Sequence, residues 1–249
     1  MTRMKRASEL LQIAVPRPVR LAGLVAGALL AVGLPGALPA PAPAPPPAEG
    51  GKLVPIPIQL PKPMFEGTPQ NVKVPNLQKP LGRPRDPFLA PAGVTNVGKG
   101  KPVTSSDMEP IIGEIDQVTD GDKKGADGSY VELGPLQQHV TIDLGATHEV
   151  FAVLFWHFHK TPRVYFDVVV QLADDAAFTK NVRTVFNNDH DNSSGMGVGG
   201  EMHYVETAEG RLVDARGHRA RYVRLHSRGN NANELNHYVE VEVFGRPAK

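Results

Sequence analysis

Hydrophobic and polar residues alternate in short stretches over the C-terminal two-thirds of the chain. From His139 to Leu144, the apolar residues Val140, Ile142 and Leu144 alternate with polar ones, as in a strand with one buried face. Similar stretches, separated by Gly, Asp and Asn, lie at 164–173, 182–186, 220–227 and 238–245. None has a helical period, so the pattern predicts an all-β sandwich or jelly roll over residues 94–249.

The segment 149–157 differs from these stretches because it is almost continuously apolar. Such a run suits a strand that is buried on both faces. It contains Trp156, the only tryptophan of the chain. We therefore predict a core position for this ring rather than a role as a platform for a ligand.

The first forty residues have the layout of an export signal. Basic residues end at Arg20, and an uncharged apolar run follows from Leu21 to Leu38 before small residues and prolines. The run has about 18 residues, the lower limit for crossing a bilayer. Residues 1–40 thus predict a cleaved signal peptide or a signal anchor, and both place the rest of the chain in a secreted, periplasmic or cell-surface location.

Proline sets a second segment apart. Of the 24 prolines, 15 lie between Pro41 and Pro91, which opposes helices and favours an extended conformation over 41–93. Apolar residues such as Ile56, Leu60 and Phe65 are interspersed among them. Two interpretations stay open: a disordered tether, or a strap that lies against the domain or against a protein partner.

Composition excludes several functional classes. The 249 residues carry a net charge of +1, so no global field draws the chain to nucleic acid. The absence of cysteine excludes disulfides, cysteine-ligated zinc and a thiol nucleophile. The GxSxG motif is absent, and the glycine-rich run 195–200 lacks the Lys-Ser/Thr of a phosphate loop. We therefore expect no enzyme of these classes.

An acidic, glycine-rich loop is the first candidate for specific chemistry. It contains the aspartates and glycines Asp120, Gly121, Asp122, Gly125, Asp127 and Gly128. Calcium takes about six to eight oxygen ligands, including backbone carbonyls of tight turns. The same composition is also typical of an Asx-rich turn with solvated carboxylates, which is the alternative interpretation.

Histidine and asparagine gather in three later stretches, at 157–159, 187–192 and 230–237. In a strand, His157 and His159 share one face. Sugars need planar hydrogen-bonding groups around an aromatic ring, in a largely preformed concavity. The candidates for such a site are His157, His159, Arg163, Tyr165, Asn187, Asp189, His190 and Asn230.

Two other interpretations of these residues remain. The first is a metallohydrolase whose Zn²⁺ or Mn²⁺ ligands are His157, His159, Asp189, His190 and Asp191, although no HExxH or comparable spacing accompanies them. The second is structural: the segment 189–195 is a polar turn or a second cation loop, and the histidines have ordinary hydrogen-bonding roles.

Several sequence pieces occur in an order found in a known superfamily. They are KPVTSSD from Lys101, TDGD from Thr119, HVTIDLG from His139, ARYVRLHS from Ala220 and YVEVEVFG from Tyr238. Their order resembles the discoidin, or coagulation-factor type C, superfamily, which includes the family 32 carbohydrate-binding modules. The chain is also similar to discoidin-like domains of uncharacterised secreted bacterial proteins. The resemblance implies a discoidin-like, galactose-binding-like jelly roll over residues 94–249.

The resemblance also implies a structural calcium ion. In discoidin-like relatives, a loop resembling this acidic loop and a glutamate on the last strand hold one ion. By its position before the terminal Gly245, that glutamate is Glu240, and the loop contributes Asp120, Asp122 and Gly125. Gly125 or a neighbour stands where relatives often have Thr, which removes one side-chain oxygen.

Relatives of this kind bind galactosides, other glycans, lipid head groups or proteins, and the fold alone does not choose among them. We expect a non-catalytic, extracytoplasmic module that binds carbohydrate or a cell-envelope component. The alternative is a structural or assembly protein that docks on a larger protein partner through its Pro-rich segment. Membrane contact is expected only through residues 1–40.

Overall fold

The computed structural model describes residues 52–65 and 72–248, all of which belong to one compact unit that extends from Pro43. The predicted signal or anchor, residues 1–40, lies outside the described residues, as do residues 41–51 and 66–71 of the Pro-rich segment. Within the described part, no helix has the length and apolar character that a membrane span requires.

The described residues form eleven β-strands and one 3₁₀ helix, Ile115–Thr119. The strands are β1 (Leu53–Pro55), β2 (Leu89–Pro91), β3 (Thr95–Asn96), β4 (Val103–Ser105), β5 (Val131–Leu133), β6 (Gln138–Trp156), β7 (Val169–Ala173), β8 (Arg183–Asn187), β9 (Arg211–Ser227), β10 (Asn236–Tyr238) and β11 (Glu240–Pro247).

Seven strands form one antiparallel sheet in the order β3-β11-β6-β9-β7-β8, with β4 also paired to β6. Two further antiparallel pairs, β1 with β2 and β10 with β5, complete the described architecture. The prediction of an all-β, antiparallel fold is confirmed by these pairings.

The two long strands, β6 and β9, pair with each other on both sides of an irregularity in β6, and the antiparallel sheets are consistent with a β-sandwich. The irregularity is a register shift between Asp143 and His148, where Gly145 has a positive φ of 83°. The first half of β6 pairs with β4 and the end of β9, and the second half pairs with β11 and the beginning of β9. The stretches 139–144 and 149–156 therefore belong to one strand, in which residues 144–147 have no partner on β9 and Gly145 permits the irregular backbone.

The main core lies between the layers and is filled by residues from all of the long strands. Its members include Val140, Ile142, Val153, Phe155, Leu172, Val223, Leu225, Val241 and Val243. These residues follow the alternation of the sequence pattern, since neighbouring side chains of a strand point to opposite faces.

The second half of β6 is buried on both faces, as its continuous apolar sequence indicates. Val153 and Phe155 belong to the main core, whereas Leu154 and Trp156 belong to a second apolar cluster on the outer face. Trp156 is fully buried, and its Nε1 donates a hydrogen bond to the Ala208 carbonyl at 3.0 Å. Its position is that of a core residue.

The outer cluster is covered by the described part of the Pro-rich segment, residues 52–65 and 72–93, which we call the strap. Ile56 and Ala90 of the strap are buried in the cluster. Lys123 Nζ of the sandwich donates a hydrogen bond to the Gln59 carbonyl at 2.8 Å, and the Arg85 guanidinium binds carbonyls of the loop before β9. The described strap residues therefore lie against the sandwich.

Candidate functional site

The acidic loop meets the last strand of the sandwich. The Gly121 amide donates a hydrogen bond to Glu240 Oε2 at 3.0 Å. Glu240 is fully buried, and its Oε1 has no partner among the described residues. Burial raises the pKa of Glu240 to about 8, and the nearby carboxylates of Glu242 and Asp120 act in the same direction. A buried carboxylate oxygen without a partner is a position that a cation would satisfy.

The aspartates of this loop organise its turns. Asp120 Oδ1 accepts a hydrogen bond from the Asp122 amide at 2.7 Å. Asp122 Oδ1 accepts one from the Lys124 amide at 3.1 Å, and its Oδ2 accepts one from the Ser129 hydroxyl at 3.0 Å. Each carboxylate oxygen has a second lone pair, so these bonds leave capacity for a metal ion.

The fourth predicted calcium residue, Gly125, is required by the shape of the loop. It is buried with a φ of 61°, and a Cβ added there would lie 3.1 Å from His159 Nε2. His159 Nε2 donates a hydrogen bond to the Lys123 carbonyl at 2.9 Å. The structure thus places His159 with the acidic loop and not with the other ligand-binding candidates.

A second group of predicted residues lies below the surface at the end of β6. His157 and Glu206 are fully buried, and His157 Nδ1 lies 2.6 Å from Glu206 Oε1. The His157 ring stacks on the Tyr165 ring with a centroid distance of 4.2 Å. Burial raises the pKa of the Tyr165 hydroxyl far above its ordinary value, which keeps this group neutral. These residues form a buried base at this end of the sandwich, and His157 Nε2, the Tyr165 hydroxyl and Glu206 Oε2 have no partner among the described residues.

Above this base lies a partly exposed group that we call the Arg163 cluster: Tyr130, Glu132, Phe158, Arg163 and His237. The Arg163 guanidinium lies 4.5 Å from the Phe158 ring centroid and 3.2 Å from His237 Nε2. Glu132 Oε2 lies 2.8 Å from the same His237 nitrogen, and Tyr130 packs edge-on against Phe158 at 5.1 Å. The cluster therefore combines charged planar groups with aromatic rings.

The electrostatics of the cluster keep its histidine neutral. Burial lowers the pKa of His237 to about 3, and the charge of Arg163 lowers it further. Burial raises the pKa of Glu132, while Arg163 opposes that shift. Arg163 and Tyr130 are only partly buried, so their donors can be reached from the solvent. This arrangement can hydrogen-bond a polar ligand while an aromatic edge contacts its apolar surface.

Asn230 shapes the loop beside this cluster. Its Nδ2 donates to Asn233 Oδ1 at 2.7 Å and to the Leu235 carbonyl at 2.9 Å. An isolated bridge joins Asn230 to Tyr165, which brings the loop against the base. The structure therefore gathers His157, Arg163, Tyr165 and Asn230 at one end of the sandwich, with Asn230 as a loop-forming residue.

The remaining predicted residues lie in a different loop. Asn187 Oδ1 accepts a hydrogen bond from the Asp189 amide at 2.8 Å, and Asp189 is fully buried among turn hydrogen bonds. Carboxylate oxygens of Asp167, Asp189 and Asp191 lie within 4.8 Å of one another. The His190 ring packs near the His203 ring at 5.0 Å.

This distribution bears on the metallohydrolase hypothesis. Within residues 52–65 and 72–248, the one group of histidines and acidic residues with metal-ligand spacing is the aspartate trio 167, 189 and 191. It contains the predicted ligands Asp189 and Asp191 but none of the predicted histidines. His157 faces Glu206, and His159 faces the Lys123 carbonyl. The five proposed metal ligands are therefore not brought to one place.

Sequence patterns did not point to Glu132 or Glu206, and His237 was noticed only as part of the polar stretch 230–237. Glu132 and His237 are more than a hundred positions apart, and they face each other only through the pairing of β5 with β10. Glu206 lies in a loop without strand periodicity. The polar composition of the stretch 230–237 was the sequence signal for His237.

Comparisons with known proteins add the following. No family model and no curated relative matches the sequence. Similar solved structures include a fucose-binding module from Streptococcus pneumoniae, at 19% identity and a TM-score of 0.43, covering 61% of this chain and 96% of that one. Another is the family 32 carbohydrate-binding module of AlyQ in complex with 4,5-unsaturated mannuronic acid, at 23% identity and a TM-score of 0.38, covering 57% of this chain and 93% of that one. Both neighbours are discoidin-type carbohydrate-binding modules.

Discoidin-type carbohydrate-binding modules are also the domains that the sequence motifs resemble. A family 89 glycoside hydrolase from Clostridium perfringens also matches, at 21% identity and a TM-score of 0.44, over 61% of this chain. The chain spans only 15% of the length of that enzyme. At these identities and scores the neighbours do not indicate which ligand this chain binds.

Proposed function

We propose that the chain is an exported, non-catalytic carbohydrate-binding module with a discoidin-like jelly roll, which binds a glycan at the Arg163 cluster. The observation that carries this proposal is the partly exposed Arg163 guanidinium, held between the Phe158 ring and the His237–Glu132 pair. Such a group is fixed before a ligand arrives, which reduces the entropy lost on binding.

The chemistry of the cluster suits sugar hydroxyls. A guanidinium offers five donors in a fixed plane, and a carboxylate offers acceptors, so Arg163 and Glu132 can bind neighbouring hydroxyls of one ring. Tyr130 supplies a flat surface for the apolar face of a sugar. The buried His157–Glu206 pair supports the cluster from below but has no free surface of its own.

We also propose that one calcium ion stabilises the module. Two features of the residues present fit such an ion: Glu240 has a buried oxygen without a partner, and Asp120 and Asp122 lie in a glycine-containing loop that reaches it. The three side chains do not form a group with metal-ligand spacing among the described residues, so backbone carbonyls of the loop would have to supply further ligands. Calcium would supply a positive charge that neutralises these carboxylates and links the loop to β11. Binding would displace the proton that the raised pKa keeps on Glu240 and would stabilise the buried carboxylate.

A second candidate function is docking on a protein partner through the strap. In the β1–β2 pair, Val54 and Ala90 face the sandwich, whereas Leu53 and Leu89 face outward and are 57% and 51% exposed. Two exposed leucines on one face favour a contact with another protein. Docking through these leucines is compatible with glycan binding, because the Arg163 cluster contains no residue of the β1–β2 pair.

A glycan-array screen of the full chain, with and without calcium, tests the proposal. The glycan that binds is then titrated against Glu132→Gln, which keeps the shape of the side chain and removes its charge, and against Arg163→Ala. Each variant should weaken binding about tenfold or more, equivalent to about 1.4 kcal/mol for a hydrogen bond to a charged group.

The matched control is Arg228→Ala, because Arg228 is a half-exposed arginine on the neighbouring loop that contacts Asp167 at 3.9 Å. It should leave glycan affinity unchanged. If glycan binding is lost in Arg228→Ala and retained in Arg163→Ala, the binding site is assigned to the loop of Asp167 and Asp189. An array with no bound glycan would contradict the proposal.

A further inference from the structure

A cavity of about 640 Å³ lies between the strap and the loop that leads into β9. Pro63 and Leu81 of the strap form one wall, and Tyr204, Ala208 and Gly210 of the sandwich contribute to the other. Pockets of about 300–1,000 Å³ accommodate small organic ligands. None of the residues that the sequence singled out as site candidates lines this cavity.

The walls of the cavity carry mainly positive charge. Lys79, Arg83, Arg85 and Arg211 line it, together with a single carboxylate, that of Glu209. A concave surface with charges of one sign raises the local concentration of ligands with the opposite sign. The cavity therefore favours an anionic ligand.

Two of these arginines lack strong carboxylate partners. Arg85 donates its hydrogen bonds to the carbonyls of Glu209 and Gly210, each at 3.0 Å. Burial lowers the pKa of the Arg85 guanidinium, and the charge of Arg211 lowers it further against the opposing effect of Glu209. Arg211 lies 3.6 Å from the exposed carboxylate of Glu201, and its Nη1 donates a hydrogen bond to Gln78 Oε1 at 2.9 Å. Its guanidinium also packs on the rings of Phe186 and Tyr204, and its buried Nε has no partner among the described residues.

The other two cations differ from each other. Arg83 is neutralised by Asp86, with a separation of 2.6 Å. Lys79 is exposed at the rim, and no ion pair or hydrogen bond of its ammonium group occurs within the described part of the chain. The charge available to a ligand therefore comes from Lys79, Arg85 and Arg211.

A guanidinium binds a carboxylate or a sulfate through two parallel hydrogen bonds. The cavity is much larger than one inorganic anion, and the apolar side chains of Pro63, Phe65 and Leu81 in its lining can contact the C–H groups of sugars. We propose that this cavity is a second binding site, which takes an acidic oligosaccharide through Lys79, Arg85 and Arg211. The saccharide part of this inference rests on the proposed function, whereas the anionic part rests on the charges of the cavity.

Trp156 is a built-in reporter for the test. It is the only tryptophan, and its Nε1 binds the carbonyl of Ala208, which lines the cavity. The full chain is titrated with trigalacturonate, which carries carboxylates, and with a carrageenan tetrasaccharide, which carries sulfates. We expect a saturable change of Trp156 fluorescence with at least one of them, and the one that binds identifies the acidic group.

Charge reversal at the rim provides the decisive comparison. Lys79→Glu should weaken binding about tenfold or more, whereas Lys180→Glu, a reversal of an exposed lysine on the turn between β7 and β8, should leave it within about twofold. When trigalacturonate binds, its methyl ester should bind at least about tenfold more weakly. Equal affinity of the ester, or of the Lys79→Glu variant, would overturn the inference, as would an identical response to sodium sulfate at the same concentration.

The outcomes separate this inference from the proposed function. Binding that is lost with Lys79→Glu and retained with Glu132→Gln supports a site in the cavity. The reverse result places the acidic oligosaccharide on the Arg163 cluster, which overturns this inference and leaves the proposed function standing. No response to either acidic oligosaccharide also overturns it, even where a neutral glycan binds at the Arg163 cluster.

Discussion

Glu240 on the last strand accepts a hydrogen bond from the Gly121 amide, 119 positions earlier in the chain. The bond uses one carboxylate oxygen, and the other oxygen is buried without a partner in the described residues. The loop and the strand are therefore already in contact without an ion, and Glu240, with a pKa of about 8, is mostly protonated at neutral pH. A cation at this place would replace that proton, so we expect its binding to stabilise the fold.

Calcium should raise the melting temperature of the chain. An ion that binds only the folded state stabilises it by about 2.7 kcal/mol at a hundredfold excess over its dissociation constant. For a chain of this size, that corresponds to a rise of roughly 5–10 °C. Differential scanning calorimetry with calcium and with a chelator measures the rise directly.

Glu240→Gln should reduce this calcium response strongly, because it removes the charge and keeps the volume of the side chain. Asp191→Asn is the matched control, since Asp191 belongs to the separate aspartate trio with Asp167 and Asp189. A response that survives Glu240→Gln and disappears with Asp191→Asn would assign calcium to the other loop. Identical melting curves with calcium and chelator would show that no such ion stabilises the fold.

Ile56→Ala in the strap should lower the free energy of unfolding by about 2 kcal/mol, the lower part of the range for a buried isoleucine. Ile56 is 7% exposed in the outer cluster that contains Trp156. Urea unfolding, followed by the fluorescence of Trp156, measures this loss. Leu60→Ala is the control, because Leu60 is a strap residue that is 51% exposed, and it should change stability by less than about 0.5 kcal/mol. Equal effects of the two substitutions would contradict a specific contact of Ile56.

Much of the sandwich could be predicted from sequence because its strands follow local rules. The alternation at Val140, Ile142 and Leu144 predicted a strand with one buried face, and the continuous apolar run 149–157 predicted a strand buried on both faces. The sequence did not predict that the strap covers the outer face of β6, since prolines indicate an extended conformation but not the surface against which the segment lies. Strand β7 is also shorter than its apolar pattern, since residues 164–168 form a mostly buried connection whose strand pairing is limited to the single bridge of Tyr165 with Asn230.

The candidate sites were harder to predict than the strands. His157 and His159 are adjacent in the pattern, yet each is buried against a different partner, because β6 ends at Trp156 and strict alternation stops there. Glu132 reaches His237 only through long-range strand pairing. Local sequence gives the type of a side chain but not the partner that a distant strand brings to it.

The stability of the chain should fall as the pH decreases below about 6.5, in part because of His226. Burial lowers the pKa of His226 to about 3, and the neighbouring His139 and Arg224 contribute to this shift. Below the unfolded value near 6.5, the unfolded state binds a proton that the folded state does not. The contribution is fully present above pH 6.5 and is lost progressively between about pH 6.5 and about pH 3.

His226→Phe should flatten this dependence by up to about 1.4 kcal/mol per pH unit, the effect of one proton. Urea unfolding at a series of pH values between 7.5 and 4 measures the slope. At pH 7.5 the variant should be about as stable as the parent, because both ring nitrogens of His226 are buried without partners in the described residues. An unchanged slope would show that His226 is protonated equally in both states.

Gly210→Ala should destabilise the fold more than Gly195→Ala. Both glycines have positive φ, 62° and 74°, so alanine costs about 1 kcal/mol in backbone conformation at either position. At Gly210 an added Cβ would also lie 2.6 Å from Trp156 Cε2, whereas nothing lies within 4 Å at Gly195. The contact with Trp156 should add about 1–3 kcal/mol, since a buried indole in a packed cluster has little room to move. Urea unfolding of both variants gives the difference, and a shift in Trp156 emission should accompany Gly210→Ala alone. If the two variants lose the same stability and emit alike, the loop before β9 does not press against the indole as described.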